Sequence, residues 1–465
     1  MVEEKFKNFQ EKRMHIFGEL VRKYWNGKLN NIKDLDQLVS EIKEKYHFND
    51  SDIPFIKDHI RVAMGLDPSG NEDFKDELDI VNQYKGVEQP VVTKIDGVCE
   101  YCDKKNCKCS IETSKFEADI YRRRKEPVII NNKCLSCGTC ISSCDFGALA
   151  DKIEFIPLVK MLKDKETKVY ATVAPAIVGQ FGDISMGQLR SALKLIGFED
   201  MVEVALFADI LTIKEAFEFC HLVKTEKDFF LTSCCCPVWF NLTKKSYPEI
   251  FKFMSPSISP MIASGRFLKN LYKGAKVVFV APCIAKKAEI KEPELKGNID
   301  FVINFRELKE IFNSLRIDFK NLPSDEKDQA SFGGRIYART GGVSFSVKSV
   351  VNRLEPSRLI KLKAKKVDGI QNCKEILDDL SKKSVPYNFI EGMGCPGGCV
   401  GGSRTNIDVE DATKYVNEFG EDSLIMTPFD NLNVMKILKQ TGLKSIEEIT
   451  DNRQMFELLS RNKLE

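Results

Sequence analysis

Histidine and tryptophan are scarce in this chain, four and two of 465 residues. None of His15, His47, His59 and His221 falls inside a cysteine cluster, so zinc sites of mixed Cys and His ligands are not expected. A surplus of positive charge is missing too. Lys plus Arg is 70 and Asp plus Glu is 68, for a formal charge of +2, which points away from nucleic acid or a lipid surface as partner. No apolar run approaches the roughly 18 residues of a membrane span. The opening MVEEKFKNFQEKR has no apolar signal core, so a cytoplasmic protein is expected. No GxGxxG follows a strand pattern, and no GxxxxGK precedes Ser or Thr, so direct use of a nicotinamide nucleotide is not expected.

Cysteine is what the chain has in excess: 16 residues, none in the first 98 or the last 66. A disulfide framework belongs to small secreted domains, whereas these thiols are one to three residues apart in a long chain. All-thiolate ligation points to iron–sulfur clusters or structural zinc.

The length predicts two to four domains. Residues 1–95 read as a small helical region, with Phe17, Leu20, Val21 and Tyr24, then Leu35, Leu38, Val39 and Ile42, at helical spacing. Residues 96–160 carry eight cysteines and read as an iron–sulfur domain. Residues 161–405 alternate apolar runs (Val169–Val173, Phe229–Leu231, Val277–Val280, Tyr387–Ile390) with helical patterns (Met186–Ile196, Ile213–Phe219, Phe305–Leu315). This predicts an α/β domain with largely parallel sheets. Each apolar run leads into a proline or a cysteine, and ligands of such folds gather at the carboxyl ends of strands. Residues 406–465 read as a charged helical segment.

Cys134-Leu-Ser-Cys137-Gly-Thr-Cys140-Ile-Ser-Ser-Cys144 is the C-x2-C-x2-C-x3-C run of bacterial ferredoxins. It predicts a [4Fe-4S] centre, although Asp145 stands where proline is usual. Cys99, Cys102, Cys107 and Cys109 offer a second set of four thiolates at C-x2-C-x4-C-x-C spacing. A second [4Fe-4S] cluster, zinc, and ligands shared with the first set all stay open there. Two adjacent clusters would make an electron wire.

Four further segments carry a family resemblance: Thr232-Ser-Cys-Cys-Cys-Pro-Val-Trp239, Ala281-Pro-Cys-Ile-Ala-Lys-Lys-Ala-Glu289, Ala338-Arg-Thr-Gly-Gly-Val343, and Glu391-Gly-Met-Gly-Cys-Pro-Gly-Gly-Cys-Val-Gly-Gly402. Over residues 95–405 the chain resembles the iron-only, or [FeFe], hydrogenases, in a branch with three consecutive cysteines in the first motif. The resemblance implies two catalytic lobes around a [4Fe-4S] cubane. One cysteine sulfur joins the cubane to a two-iron unit bearing carbon monoxide, cyanide and an amine-containing dithiolate. It assigns Cys236, Cys283, Cys395 and Cys399 as ligands, with Cys399 bridging. Lys286 matches the lysine that bonds a cyanide, and Met393 a methionine beside the two-iron unit. Gly397, Gly398, Gly401 and Gly402 read as space left for the cofactor.

The resemblance also implies a proton relay from Cys235 through Glu215, Ser255 and Glu218 to water, with Glu289 as a further acidic group near Lys286. Thiol, carboxyl and hydroxyl all accept and release protons. Cys234, Ala281, Met261 and Ser403-Arg404 depart from the common motifs. Cys220 and Cys373 read as buried structural thiols. The expected activity is interconversion of H2 with protons and electrons, with ferredoxin or a similar low-potential carrier as partner and maturation enzymes to build the two-iron unit. An H2 sensor and a non-catalytic iron–sulfur assembly protein are the alternatives.

Overall fold

The computed structural model describes residues 6–70, 73–83, 91–99, 134–382 and 385–461. Cys102, Cys107 and Cys109 lie outside the described residues. The chain forms two compact units, 1–166 with 301–318, and 167–300 with 319–465.

In the first unit, helices α1 (Phe9–Trp25), α2 (Ile32–Lys45) and α3 (Ile53–Ala63) follow one another. Phe17, Leu20 and Val21 of α1 and Leu35, Leu38, Val39 and Ile42 of α2 are buried, as the helical spacing predicts. Asn31 starts α2 by accepting the Asp34 N–H, while the Asp34 carboxylate takes the Asn31 N–H in return. Strand β1 (Val92–Lys94) pairs antiparallel with β2 (Leu149–Asp151), Val92 opposite Asp151. The loop carrying Cys134, Cys137, Cys140 and Cys144 leads into β2. Gly138 turns it at φ 86°, ahead of the short helix Thr139–Ser142. The start of α1 is tied to this region, with the Phe9 N–H on Asp145 O at 2.9 Å and Gln10 Nε2 on Leu149 O at 2.9 Å.

The second unit is an α/β structure built on parallel strands. β3 (Val169–Val173) pairs with β4 (Asp200–Glu203) on one side and with β6 (Lys276–Ala281) on the other. A second sheet has β5 (Phe230–Leu231), β8 (Phe389–Met393) and β7 (Ala364–Asp368) in that order, with β8 central. Ile390 stands opposite both Leu231 and Lys365, so the carboxyl ends of these strands lie at one edge. Helix α4 (Ala205–Leu222) is buried over most of its circumference. Ala208, Ala216 and Phe219 pack with Phe230, Val343, Val347, Phe389 and Met393 in one core. A helix buried on nearly all sides needs an internal partner for every polar side chain it carries.

Candidate active site

The cysteine motifs leave the carboxyl ends of strands. β5 ends at Leu231 and runs through Thr232 to Cys236, which caps helix α5 (Pro237–Ser246). β6 ends at Ala281, and Pro282-Cys283 leads into helix α6 (Ala285–Glu289). β8 ends at Met393, followed by Cys395 and Cys399. Cys235, Cys236, Cys283, Cys395 and Cys399 line one cavity together with Lys286 and Met393, and Met261 and Tyr337 also face it. The cavity has a volume of about 70 Å³, well above the roughly 10–15 Å³ that one water needs.

Burial pushes the Cys283 thiol up to about 11, with Lys286 acting against it and Cys236 with it. Burial and the charges of Cys283 and Cys236 push Cys399 up to about 12. Thiols so placed stay protonated unless a cationic centre replaces the protons, which is what iron does on binding. Among the described residues no three His, Cys, Asp or Glu side chains converge closely enough for a single metal ion. Thiols spread around an interior this large suit a multi-iron cluster, and the donor set fits that group.

Lys286 brings the cation. Its Nζ donates to Cys235 O at 2.7 Å and to Glu289 Oε2 at 2.7 Å. Burial acts to lower its pKa, but Glu289 and the neighbouring thiols leave it raised, so the ammonium is charged. Two glycines of the Glu391–Gly402 segment lie against neighbouring backbone beside the space. Gly398 has φ 93°, and a Cβ there would stand 2.9 Å from Thr340 N. A Cβ on Gly402 would meet Pro282 O at 2.5 Å. These glycines, like Gly401, whose Cβ would meet Pro396 O at 2.0 Å, admit protein backbone: Gly398 lets the Glu391–Gly402 segment approach Thr340, and Gly402 lets it approach Pro282.

Glu215 is buried on α4. Thr232 Oγ1 donates to its Oε2, and the Cys234 thiol, shared with Ile258 O at 3.3 Å, lies 3.4 Å from Oε1. Burial raises the Glu215 carboxyl to about 7, Thr232 opposing and Glu218 adding to the rise. One turn on, Glu218 accepts from Ser255 Oγ at 3.0 Å and pairs with Lys214, whose Nζ also reaches Ser257 Oγ at 2.8 Å. Among the described residues no hydrogen bond joins Glu215 to Ser255, and the Cys235 thiol has no hydrogen-bond partner. Cys234, which does not line the cavity, is the thiol on Glu215.

Sequence reasoning passed over Thr232, Thr212 and Tyr337. Tyr337 shares a 2.6 Å hydrogen bond with Thr212 of α4, whose hydroxyl also reaches Ala208 O at 2.8 Å. Tyr337 stands two residues ahead of Arg339-Thr-Gly-Gly, and that adjacency is the signal that could have found it. Cys373 is fully buried and donates to Met393 O at 3.3 Å; Cys220 is buried in the same core as Met393.

In the first unit, Cys140 and Cys144 are buried while Cys134, Cys137 and Cys99 are half-buried. Burial pushes the Cys137 thiol up, against a 3.3 Å contact with Thr139 Oγ1.

The family described as iron-only hydrogenase large subunit, C-terminal domain, matches residues 167–403. The chain belongs to the [FeFe] hydrogenase family. It is similar to the periplasmic [Fe] hydrogenase large subunit of Nitratidesulfovibrio vulgaris, 30% identical over 352 residues, covering 58% of this chain and 84% of the relative. It is also similar to iron hydrogenase 1 of Clostridium pasteurianum, 26% identical over 416 residues, 70% of this chain and 72% of that one. A cytosolic Fe-S cluster assembly factor of Danio rerio is 23% identical over 316 residues, covering 56% and 77%. The fold is similar to that of the apo [FeFe] hydrogenase of Chlamydomonas reinhardtii, with a TM-score of 0.54 at 20% identity over 65% of this chain and 96% of that one. Among the described residues no helix is long and apolar enough to cross a membrane.

Proposed function

We propose that this member of the [FeFe] hydrogenase family is a catalytic hydrogenase that interconverts H2 with two protons and two electrons. The observation that carries the reading is the convergence of Cys236, Cys283, Cys395 and Cys399 on one cavity that also takes in Cys235, Lys286 and Met393. Non-catalytic retention of a cubane needs the four ligands but has no use for a thiol with no hydrogen-bond partner or for a buried ammonium facing the same space.

Cys236, Cys283, Cys395 and Cys399 would hold the active-site cubane, and Cys399 would also hold the two-iron unit. When bound, that unit supplies the centre at which H2 is split or formed. Lys286 spends two of its three N–H donors on Cys235 O and Glu289, which leaves one for an anionic ligand in the cavity. Met393 lines the same cavity. Cys235 takes protons from the cavity and hands them on. The next carrier is Cys234, because it is the thiol on Glu215, and Glu215, with its pKa near 7, both binds and releases a proton at neutral pH. Ser255 and Glu218, hydrogen-bonded at 3.0 Å, then lead outward. Cys134, Cys137, Cys140 and Cys144 would hold one [4Fe-4S] cluster and Cys99, Cys102, Cys107 and Cys109 a second, which would supply electron exchange with ferredoxin or a similar low-potential carrier. Maturation enzymes supply the two-iron unit.

The test is H2 evolution from a reduced low-potential carrier by protein produced with those enzymes. Sustained turnover bears the reading out. Full cluster loading with the two-iron unit present but no turnover would favour an H2 sensor; clusters without that unit would favour an assembly protein.

A further inference from the structure

The segment that follows the family match returns to the site. Helix Arg453–Leu459 ends just before Ser460 and Arg461, and the Arg461 N–H bonds Pro256 O at 2.8 Å. The Arg461 side chain is 7% exposed. Its guanidinium lies 3.8 Å from the Phe240 ring centroid, and Nη1 bonds Glu292 Oε2 at 2.6 Å with Glu294 at 3.4 Å. The other arm, Nη2, faces Glu289 Oε1 at 3.7 Å. Glu289 is fully buried, its Oε2 holds Lys286, and among the described residues Oε1 has no hydrogen bond.

Three buried charges therefore stand in a row: Lys286, Glu289 and Arg461. We infer that Arg461 is a positioning residue for Lys286, acting through Glu289. This rests on the reading above, in which Lys286 holds an anionic ligand. Losing one partner leaves a buried carboxylate's charge poorly compensated, and without Arg461 the Lys286 ammonium would be the cation left to face both oxygens of Glu289. Arg461 supplies the second cation on the far side, so Glu289 holds Lys286 by Oε2 alone and leaves the third N–H free for the cavity. Glu292 and Glu294 fix the guanidinium from outside, and the Phe240 face holds its plane. Arginine suits the place because its rigid fork serves two carboxylates at once.

The test compares Arg461→Gln, Arg461→Lys, Glu289→Gln and the double variant Arg461→Gln/Glu289→Gln in the full-length, matured protein. If Arg461 acts through Glu289, Arg461→Gln lowers turnover by about 10–100-fold, the range for residues that orient a metal site's own ligands. It also shifts the infrared bands of metal-bound cyanide, and the double variant adds nothing to Glu289→Gln. Arg461→Lys restores part of the shift. Wild-type band positions in Arg461→Gln, or shifts that simply sum in the double variant, overturn the proposal. A second readout is independent of the two-iron unit: the unfolding midpoints of the four proteins should be non-additive by about 2 °C or more. Wild-type protein with no cyanide bands at all defeats the hydrogenase reading, while additive midpoints defeat the Arg461 proposal on their own.

Discussion

The Cys234 thiol stands 3.4 Å from Glu215 Oε1, while the adjacent Cys235 faces the cavity. Of these two neighbouring thiols, one faces the cavity and the other faces a buried carboxyl. The expected order put Cys235 directly before Glu215, whereas the thiol in contact with Glu215 is that of Cys234.

Replacing either thiol should interrupt proton transfer. Cys235→Ala and Cys234→Ala should each lower turnover by about 10²-fold or more, a typical contribution of a positioned proton carrier. Cluster content should stay at the wild-type level. Turnover assays with iron analysis check this; unchanged turnover in Cys234→Ala would return the Glu215 contact to Cys235 acting through water.

The pH dependence of stability follows from Glu215. Its folded pKa, about 7, lies above the ordinary 4.5. Below about pH 4.5 both states are protonated, and between the two values the folded state binds more protons, so stability falls as pH rises through this window. Glu215→Gln removes the titration. The difference in unfolding midpoint, variant minus wild type, should therefore be more positive at about pH 8.5 than at about pH 5, by the equivalent of roughly 2–3 kcal/mol. A difference independent of pH would show that Glu215 does not ionise in this window.

How much of this was legible in the sequence depended on what each segment buries. Val169–Val173 is an uninterrupted apolar run and forms β3 with the same bounds. The periodic pattern at Ile213–Phe219 covers only part of α4, because Ala205–Thr212 is buried on all sides and has no period to read. Strand β7, Ala364-Lys-Lys-Val-Asp368, is an edge strand whose side chains are mostly part-exposed, so it carries no apolar signature. At the site, Cys236, Cys283, Cys395, Cys399 and Lys286 were singled out by the family resemblance, and the structure gathers them on one cavity beyond strand ends. The Thr232–Glu215 and Arg461–Glu289 contacts join residues 17 and 172 positions apart, and no local pattern encodes such pairings.

Gly402 carries a packing prediction. A methyl group there would stand 2.5 Å from Pro282 O, against a backbone that also receives the Arg404 N–H at 2.8 Å. Gly402→Ala should destabilise by about 1–3 kcal/mol, as overpacking does, and should loosen Cys283 along with Pro282. Lower retention of iron in the second unit together with a lower unfolding midpoint is the expected result.

The amino-terminal thiols should be separable from the chemistry. Cys137→Ser should remove about four iron atoms, one cubane, and abolish electron exchange with ferredoxin. Infrared bands from the active site should not move. Loss of those bands in Cys137→Ser would mean that this loop also holds the second unit together.

The most direct measurement is infrared spectroscopy of the protein produced with maturation enzymes, wild type beside Cys399→Ser. The account predicts bands of metal-bound carbon monoxide and cyanide in the wild type and their loss in Cys399→Ser, with the iron–sulfur absorption of the first unit retained in both. A fully cluster-loaded wild type without such bands, or a Cys399→Ser protein that keeps them unshifted, would contradict it.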